Sequence, residues 1–380
     1  MKRLVILGST GSIGLQALEV VEALPGEFQV VGLASGGARE DLFAAQLERW
    51  RPSVAALTSP DAARRAARAV GREVLPGPEG LETAASWPEA DLVLNAVVGF
   101  AGLSPTLAAI AAGKDVAMAN KEALVAAGPL VTASARAKGV TLLPVDSEPS
   151  AVYQLMVGRS WSEVDRIVLT ASGGPFYGRT PADLETVTPE EALHHPTWRM
   201  GPKITVDSAT LMNKGFEVIE ASRLFEVPVE RIEVLVHRQS LIHSMVVLTD
   251  GVVLAHVGPP DMRYPIQYAL THPRRPPAPW PRLELGTAPA LTLGRPDPGA
   301  FPCLHLAYEA GRAGGSLPAV LSAADEVLVE AFLGGRIGFL DIPRGLERVL
   351  SGHRAFEITA LEDARRADAE GREAARAFLA

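Results

Sequence analysis

Leu4-Val5-Ile6-Leu7-Gly8-Ser9-Thr10-Gly11-Ser12-Ile13-Gly14 lies at the start of the chain. Four consecutive apolar residues read as a strand covered on both faces. Three glycines, each three residues from the next, follow at once. Residues 15–24 then have helical character. Strand, glycine turn and helix in that order form the unit on which a dinucleotide pyrophosphate rests. The glycines let the backbone approach the ligand, and the helix N-terminus offers free N–H groups and a positive dipole end. The spacing is G-x-x-G-x-x-G rather than G-x-G-x-x-G, so an ordinary tight βα turn is the competing reading.

The same alternation continues outward. Strand-like runs at residues 3–7, 28–33, 54–57, 92–96, 115–117 and 141–145 alternate with Ala-rich helical stretches. Strands alternating with helices predict parallel βαβ units in a doubly wound α/β, Rossmann-like domain over residues 1–149. Past residue 150 the pattern changes. Runs at 164–171 and 232–236, and a pair at 244–248 and 252–257 around Thr249-Asp250-Gly251, predict an α+β domain over 150–272. Residues 273–302 are dense in proline and read as an extended linker. Residues 303–380 read as a helical domain.

Lys+Arg is 36 and Asp+Glu 44, a net charge of −8 that argues against a broad nucleic-acid-binding face. Cys303 is the single cysteine, so neither a disulfide framework nor a Cys-rich zinc site can form. No run reaches the ~18–20 apolar residues of a membrane span. The apolar run at 4–7 is too short for a signal-peptide core, so the fold is expected to begin at residue 1. A reducing, cytoplasmic location is expected.

Several polar segments suggest a site. The second strand runs into Ala34-Ser35-Gly36-Gly37-Ala38-Arg39, with Glu40 and Asp41 only afterwards. An NAD-preferring fold places its acid earlier, on the ribose 2′-OH. Small residues and Arg39 favour a 2′-phosphate, hence NADPH; a solvated surface arginine is the alternative. Asp146-Ser147-Glu148 ends the last strand of the first domain. Read as an extended segment, it projects Asp146 and Glu148 together, as a hard divalent cation requires. In Asp207-Ser208-Ala209-Thr210-Leu211-Met212-Asn213-Lys214-Gly215-Phe216-Glu217, a helix would bring Asn213, Lys214 and Glu217 close to one face. Gly215 inside that helix costs ~1 kcal/mol against alanine and signals a close contact. Ser172-Gly173-Gly174 is a plausible phosphate nest. Asn120-Lys121-Glu122 follows the strand near 115–117. Sequence motifs for a P-loop, a zinc metalloprotease and a serine hydrolase are all absent.

Taken in order, Gly8 to Gly14, Asn120-Lys121-Glu122, Asp146-Ser147-Glu148, Ala171 to Phe176, His195-Pro196-x-Trp198-x-Met200-Gly201 and Asp207 to Glu217 resemble 1-deoxy-D-xylulose 5-phosphate reductoisomerases. The resemblance spans residues 1 to about 260, and the linker and C-terminal helices fit it. It implies an NADPH-dependent oxidoreductase of the non-mevalonate isoprenoid route. Such an enzyme rearranges 1-deoxy-D-xylulose 5-phosphate and reduces the resulting aldehyde to 2-C-methyl-D-erythritol 4-phosphate. The resemblance further implies a homodimer built on the central domain and a requirement for Mg²⁺, Mn²⁺ or Co²⁺. Its implied metal ligands are Asp146, Glu148 and Glu217, with Lys121 and His195 beside them in catalysis. The implied substrate contacts are Lys121, Ser147, Glu148, Ser172, His195, Trp198, Ser208, Asn213, Lys214 and Glu217. NADPH would meet Thr10, Gly11, Ser12, Ile13, Gly36, Gly37, Ala38, Asn120, Glu122 and Gly201. Gly37 and Ala38 depart from the polar residues that relatives often carry there, which raises the interest of Arg39. Residues 173–201 would form a lid, hinged at its glycines, with Trp198 covering the substrate.

Two other readings compete. A generic NADP-dependent dehydrogenase of a small aldehyde explains the glycine loop but not the three carboxylates. A nucleotide-sensing regulatory protein would need a partner-binding module, and no basic recognition element is visible.

Overall fold

A computed structural model of the chain describes residues 1–277 and 279–380. They form two compact units. The first comprises Met1–Ala123, Val131–Asp146 and Asp261–Trp280. Its frame is an all-parallel sheet of seven strands: β1 Lys2–Leu7, β2 Phe28–Ser35, β3 Val54–Leu57, β4 Leu75–Pro76, β5 Leu92–Asn95, β6 Asp115–Met118 and β7 Leu142–Pro144. Their order is β4-β3-β2-β1-β5-β6-β7. Leu4 to Leu7 and Leu92 to Leu94 are buried, as central strands covered on both faces must be. The order reverses between β1 and β5, the place where open α/β sheets bind ligands.

The glycine loop sits at that reversal. Gly8 has φ +84°, and a Cβ there would come 2.3 Å from the Ala96 carbonyl oxygen beyond β5. A Cβ on Gly14 would come 2.3 Å from the Gly8 oxygen and 2.6 Å from Ser9 Cα. The loop therefore closes on its own helix, Ser12–Ala23, only because both positions lack a side chain. Two elements here escape the hydrophobic pattern: β4, two residues ending in proline, and the helix Gly77–Ala85. The Arg263–Thr271 helix packs on Ser12–Ala23, and Lys2 Nζ donates to the Leu270 carbonyl oxygen at 2.8 Å.

The second unit comprises Leu124–Leu130, Ser147–Pro260 and Pro281–Ala380. Its sheet holds β8 Val164–Ala171, β9 Ile232–Val236, β10 Ile242–Leu248 and β11 Val253–Val257, in the order β11-β10-β8-β9. β10 and β11 form the hairpin that Thr249-Asp250-Gly251 predicts. Helix Ser147–Leu155 packs on β10. Four helices, Pro302–Ala313, Leu317–Leu333, Asp341–Gly352 and Leu361–Leu379, close the chain, with Leu317–Leu333 packed against the other three. Among the described residues, no helix is long and apolar enough to cross a membrane.

Two local readings need correction. Glu148 does not extend the preceding strand: it lies in the first turn of the Ser147–Leu155 helix. Its direction is set by that turn rather than by a strand's pleat. The Asp207 to Glu217 run is also not one helix. Pro202–Thr210 ends at Leu211, in the left-handed region at φ 61°, and Met212–Phe225 starts anew.

Gly14→Ala is expected to lower stability by about 1–3 kcal/mol, because the added methyl meets backbone that cannot swing away. Gly352→Ala, with open space around it, is expected to melt like the parent protein. Thermal unfolding of the two variants side by side checks the difference.

Candidate active site

The site is best built from the Met212–Phe225 helix. Leu211 turns the chain so that the new helix begins at once, and Gly215 lets it lie tight on Pro302–Ala313. A Cβ at Gly215 would come 2.4 Å from Ala307 Cβ, the close contact that a glycine inside a helix signals. Asn213, Lys214 and Glu217 then fall on neighbouring turns, as their i, i+3 and i, i+4 spacing requires. Asn213 Nδ2 donates to Glu217 Oε1 at 2.6 Å. Lys214 Nζ donates to Glu148 Oε1 at 2.7 Å and also to Glu217 Oε2. Lys214 is 4% exposed and Glu217 1%. Burial pulls the Lys214 ammonium down, but the Glu148 and Glu217 carboxylates outweigh it and hold its pKa above the ordinary value.

Glu148 is fixed locally as well. Ser147 Oγ donates to its Oε2 at 2.5 Å, and Ser244 Oγ on β10 donates to its backbone oxygen at 3.0 Å. His243, beside Ser244, is held neutral-leaning by burial, against the opposing pull of the Glu148 charge. Asp146, two residues before Glu148, ends the Val131–Asp146 segment of the first unit. Its Oδ2 meets Lys121 Nζ at 2.7 Å. Asp146, Glu148 and Glu217 each present a carboxylate oxygen, and these oxygens lie within 4.8 Å of one another. Hard carboxylate oxygens in such a set suit Mg²⁺ or Mn²⁺.

A second polar group gathers where β8 ends. Ser172 Oγ bonds His195 Nε2 at 2.8 Å. His195 Nδ1 accepts the backbone N–H groups of Thr197 at 3.1 Å and Trp198 at 2.8 Å. Nδ1 is therefore an acceptor, so the proton resides on Nε2 and is donated to Ser172. Burial first, and then the charge of Arg238, lower the His195 pKa to about 4. Arg238 Nη1 donates to the carbonyl oxygens of Ser172 at 3.2 Å and Gly174 at 2.6 Å. Gly173 and Gly174 have φ of +79° and +62°, and a Cβ on Gly174 would strike the Ser208 carbonyl oxygen at 2.6 Å. The loop after β8 thus rests on Ser208, which is buried. Trp198 is half-buried. Gly201 caps the Pro202–Thr210 helix with an extended backbone.

In the first unit, Gly11 is the N-cap of the Ser12–Ala23 helix with no side-chain cap, so no side chain competes for those N–H groups. Thr10 Oγ1 lies 2.5 Å from Ser35 Oγ, and Arg39 Nη1 donates to the Thr10 carbonyl oxygen at 2.9 Å. Gly37, at φ +98°, approaches Ala62, and Glu40 is turned to Arg65 by bonds of 2.8 and 2.6 Å. Gly36 and Ala38 flank Gly37 in the same turn. Ser12 and Ile13 form the first turn of the helix. Asn120 caps the Lys121–Lys138 helix through the Ala123 N–H at 3.0 Å. Its Nδ2 is shared among Val97 O, Gly99 O and Glu122 Oε2.

Arg238, Ser244 and His243 were not among the sequence candidates. Each stands in or beside a strand of ordinary composition, so its role is visible only in space.

Three family models match the chain: 1-deoxy-D-xylulose 5-phosphate reductoisomerase over residues 4–128, its C-terminal domain over 142–225, and a further DXP reductoisomerase C-terminal domain over 257–374. The 1-deoxy-D-xylulose 5-phosphate reductoisomerase of Heliobacterium modesticaldum is 54% identical over 377 residues, 98% of this chain and 96% of its own. That of a Geobacillus species is 51% identical over 382 residues, covering both chains in full. The Zymomonas mobilis enzyme solved with NADPH superposes with a TM-score of 0.91 at 41% identity, over 100% of this chain and 99% of its own. A DOX-P reductoisomerase solved with NADPH, fosmidomycin and magnesium gives 0.93 at 36% identity, over 100% and 98%.

The neutral His195 has a measurable consequence. Imidazole ¹⁵N NMR is expected to show the Nε2–H tautomer at neutral pH and protonation only near about pH 4. Arg238→Gln is expected to raise that midpoint. Because the unfolded chain takes up this proton near its ordinary pKa while the folded one resists, His195 makes stability fall as pH drops below about 6.5.

Fold, carboxylate set and sequence agreement over the whole chain place it in the 1-deoxy-D-xylulose 5-phosphate reductoisomerase family.

Proposed function

We propose that the chain converts 1-deoxy-D-xylulose 5-phosphate to 2-C-methyl-D-erythritol 4-phosphate with NADPH and a divalent metal, in the non-mevalonate route to isoprenoids. The observation that carries this reading is the three-carboxylate set of Asp146, Glu148 and Glu217 in a chain that also holds a dinucleotide-binding frame. A plain dehydrogenase of a small aldehyde has no use for three such carboxylates. Asp146, Glu148 and Glu217 hold the metal. With Lys121 and Lys214 beside them, the set sums to one negative charge, which a divalent cation would turn to one positive. That sign suits an anionic substrate. When bound, the metal supplies Lewis-acid polarisation of the substrate oxygens.

The protein's own residues orient and enclose. Lys121, Ser147, Asn213 and Lys214 hold substrate oxygens. Ser172, His195 and Ser208 take the phosphate. Neutral His195 holds the Ser172 hydroxyl through its Nε2–H and leaves that hydroxyl's own proton for the phosphate. Thr10, Gly11, Ser12 and Ile13 meet the NADPH pyrophosphate, which rests on the uncapped N-terminus of the Ser12–Ala23 helix, and Asn120, Glu122 and Gly201 border the nicotinamide end. Gly36, Gly37 and Ala38 leave room for the 2′-phosphate, and Arg39, held over the glycine loop by its bond to Thr10, supplies the charge. Residues 173–201 act as a lid, with Trp198 over the substrate excluding water from the hydride transfer. A cytoplasmic homodimer completes the reading. The edge strand β11, which presents Val253 and Val257 to solvent, is the surface for the second copy.

NADPH oxidation is expected only with 1-deoxy-D-xylulose 5-phosphate and Mg²⁺, Mn²⁺ or Co²⁺ together. Glu217→Gln is expected to lower kcat/KM by about 100-fold or more, with NADPH affinity by fluorescence titration kept. Full activity of that variant at limiting metal would remove the three-carboxylate assignment. Arg39→Gln is expected to raise the KM for NADPH about tenfold with kcat little changed, because the 2′-phosphate is remote from the hydride. Equal kcat/KM with NADPH and NADH in the parent enzyme would remove the role of Arg39.

A further inference from the structure

The second unit buries another charged cluster that none of these roles uses. Lys203 lies in the first turn of the Pro202–Thr210 helix and Asp207 one turn later. Lys203 Nζ is 2.5 Å from Asp207 Oδ2 and 2.8 Å from Asp325 Oδ2 on the Leu317–Leu333 helix. The side chains of Asp207 and Asp325 are 3% and 0% exposed. Asp207 Oδ1 and Asp325 Oδ1 are buried with no hydrogen-bond partner among the described residues. Two ionised carboxylates facing one ammonium in so dry a place would leave an uncompensated charge and bare acceptors, a costly state. A single proton held by the two carboxyl groups cancels the charge and supplies a donor.

The cluster stands directly behind the candidate site. Asp207 precedes Ser208. The Ser208 carbonyl oxygen is the atom on which Gly174 rests, so the loop carrying Ser172 leans on the same helix. The helix starts at Gly201, where the proposed lid ends, and passes through Leu211 into the helix of Asn213, Lys214 and Glu217. Lys203 Nζ also lies 4.8 Å from the ring centroid of Phe216 on that next helix.

We propose that Lys203, Asp207 and Asp325 form a buried clamp that positions Ser208 for the substrate by pinning the Pro202–Thr210 helix to Leu317–Leu333. The three are positioning residues acting through Ser208, and the proposal rests on the reading that Ser208 meets the substrate. The groups facing Asp207 are Lys203 from its own helix, Asp325 from Leu317–Leu333 and the Cys303 thiol from Pro302–Ala313. Burial, and then the charges of Asp325 and Asp207, push that thiol up, so it stays uncharged. Burial, and then the charge of Asp325, raise Asp207 well above the carboxylate range, against the pull of Lys203. The clamp is thus neutral and closed at lower pH. It gains a negative charge as pH rises through that raised value, and it loosens.

The test is steady-state kinetics of the metal- and NADPH-loaded enzyme with 1-deoxy-D-xylulose 5-phosphate between about pH 6 and 9, with the substrate KM as the readout. Asp325→Ala is expected to raise that KM about tenfold or more with a smaller change in kcat and an unchanged KM for NADPH. Asp325→Asn keeps the shape and an N–H donor but removes the charge that raises Asp207. It is expected to match the parent KM at neutral pH and to lack the rise in KM with pH that is expected of the parent; a parent KM flat with pH likewise overturns the clamp's titration. Circular dichroism and melting temperature establish that the variants are folded; should Asp325→Ala not fold, the pH profile of Asp325→Asn decides. A parent-like alkaline rise in Asp325→Asn, or a folded Asp325→Ala with unchanged substrate KM, overturns the clamp. Ser208→Ala separates the two readings. If it leaves the substrate KM unchanged, the role of Ser208 fails; if it raises KM while the Asp325 variants do not, only the clamp fails.

Discussion

Lys214 imposes the constraint that the second unit is arranged to meet. An ammonium this deeply buried is tolerable only with opposite charge in contact and its donors satisfied. Glu148 and Glu217 provide both, from two different helices. The dependence is mutual: removing one partner of such a buried pair typically costs about 3–5 kcal/mol, because the other charge is left alone. The left-handed turn at Leu211 therefore matters as much as any charged group. It starts a new helix from which Lys214 meets both Glu217 and the Glu148 carboxylate of the Ser147–Leu155 helix. The bare Cα of Gly215 then lets that helix sit against Ala307.

Backbone crowding plays in the first unit the part that charge plays in the second. Gly8 and Gly14 are glycines because backbone atoms occupy the space a Cβ would need. That crowding brings the start of the Ser12–Ala23 helix right up to the strand end, with its N–H groups uncapped by any side chain. The loop is braced from behind by Gln46, which accepts from Ser9 Oγ at 2.8 Å and donates to the Ser9 carbonyl oxygen at 2.9 Å. Arg39 braces it from the front. A ligand meeting this loop finds donors already fixed, so little ordering remains to be done on binding.

Much of this was legible in the residues, and the boundary of legibility has a physical cause. β1 and β5 carry the consecutive apolar runs Leu4 to Leu7 and Leu92 to Leu94, and such runs report burial on both faces directly. Asn213, Lys214 and Glu217 are legible through spacing alone, since i, i+3 and i, i+4 place side chains together in any helix. β4 is not, because a two-residue strand ending in proline has no period to read. The Arg263–Thr271 helix reads as a helix at best; nothing local says that it returns to pack on Ser12–Ala23, since that is set by long-range burial. Glu148 joins Asp146 through a first helical turn rather than a strand's pleat, because an i, i+2 pair on a strand and a strand end followed by a helical turn look alike in sequence. Asp325 was invisible. An acid amid Ala323, Ala324, Val327 and Leu328 looks like a polar interruption until Lys203 and Asp207 appear opposite it.

The neutral state of His195 and the charged state of Lys214 share one physical origin. Both groups are desolvated, and desolvation disfavours the cation in each. What separates them is the company each keeps. Lys214 has two carboxylates in contact, and they outweigh the burial. His195 has a serine hydroxyl, two backbone N–H groups and, further out, the positive charge of Arg238. Those partners select the neutral ring, because two N–H groups aimed at Nδ1 require a lone pair there. A protonated His195 would lose both bonds and turn the Thr197–Trp198 backbone away. The ring's protonation state and the path of the lid segment beside Trp198 are therefore one variable, fixed by the same two hydrogen bonds.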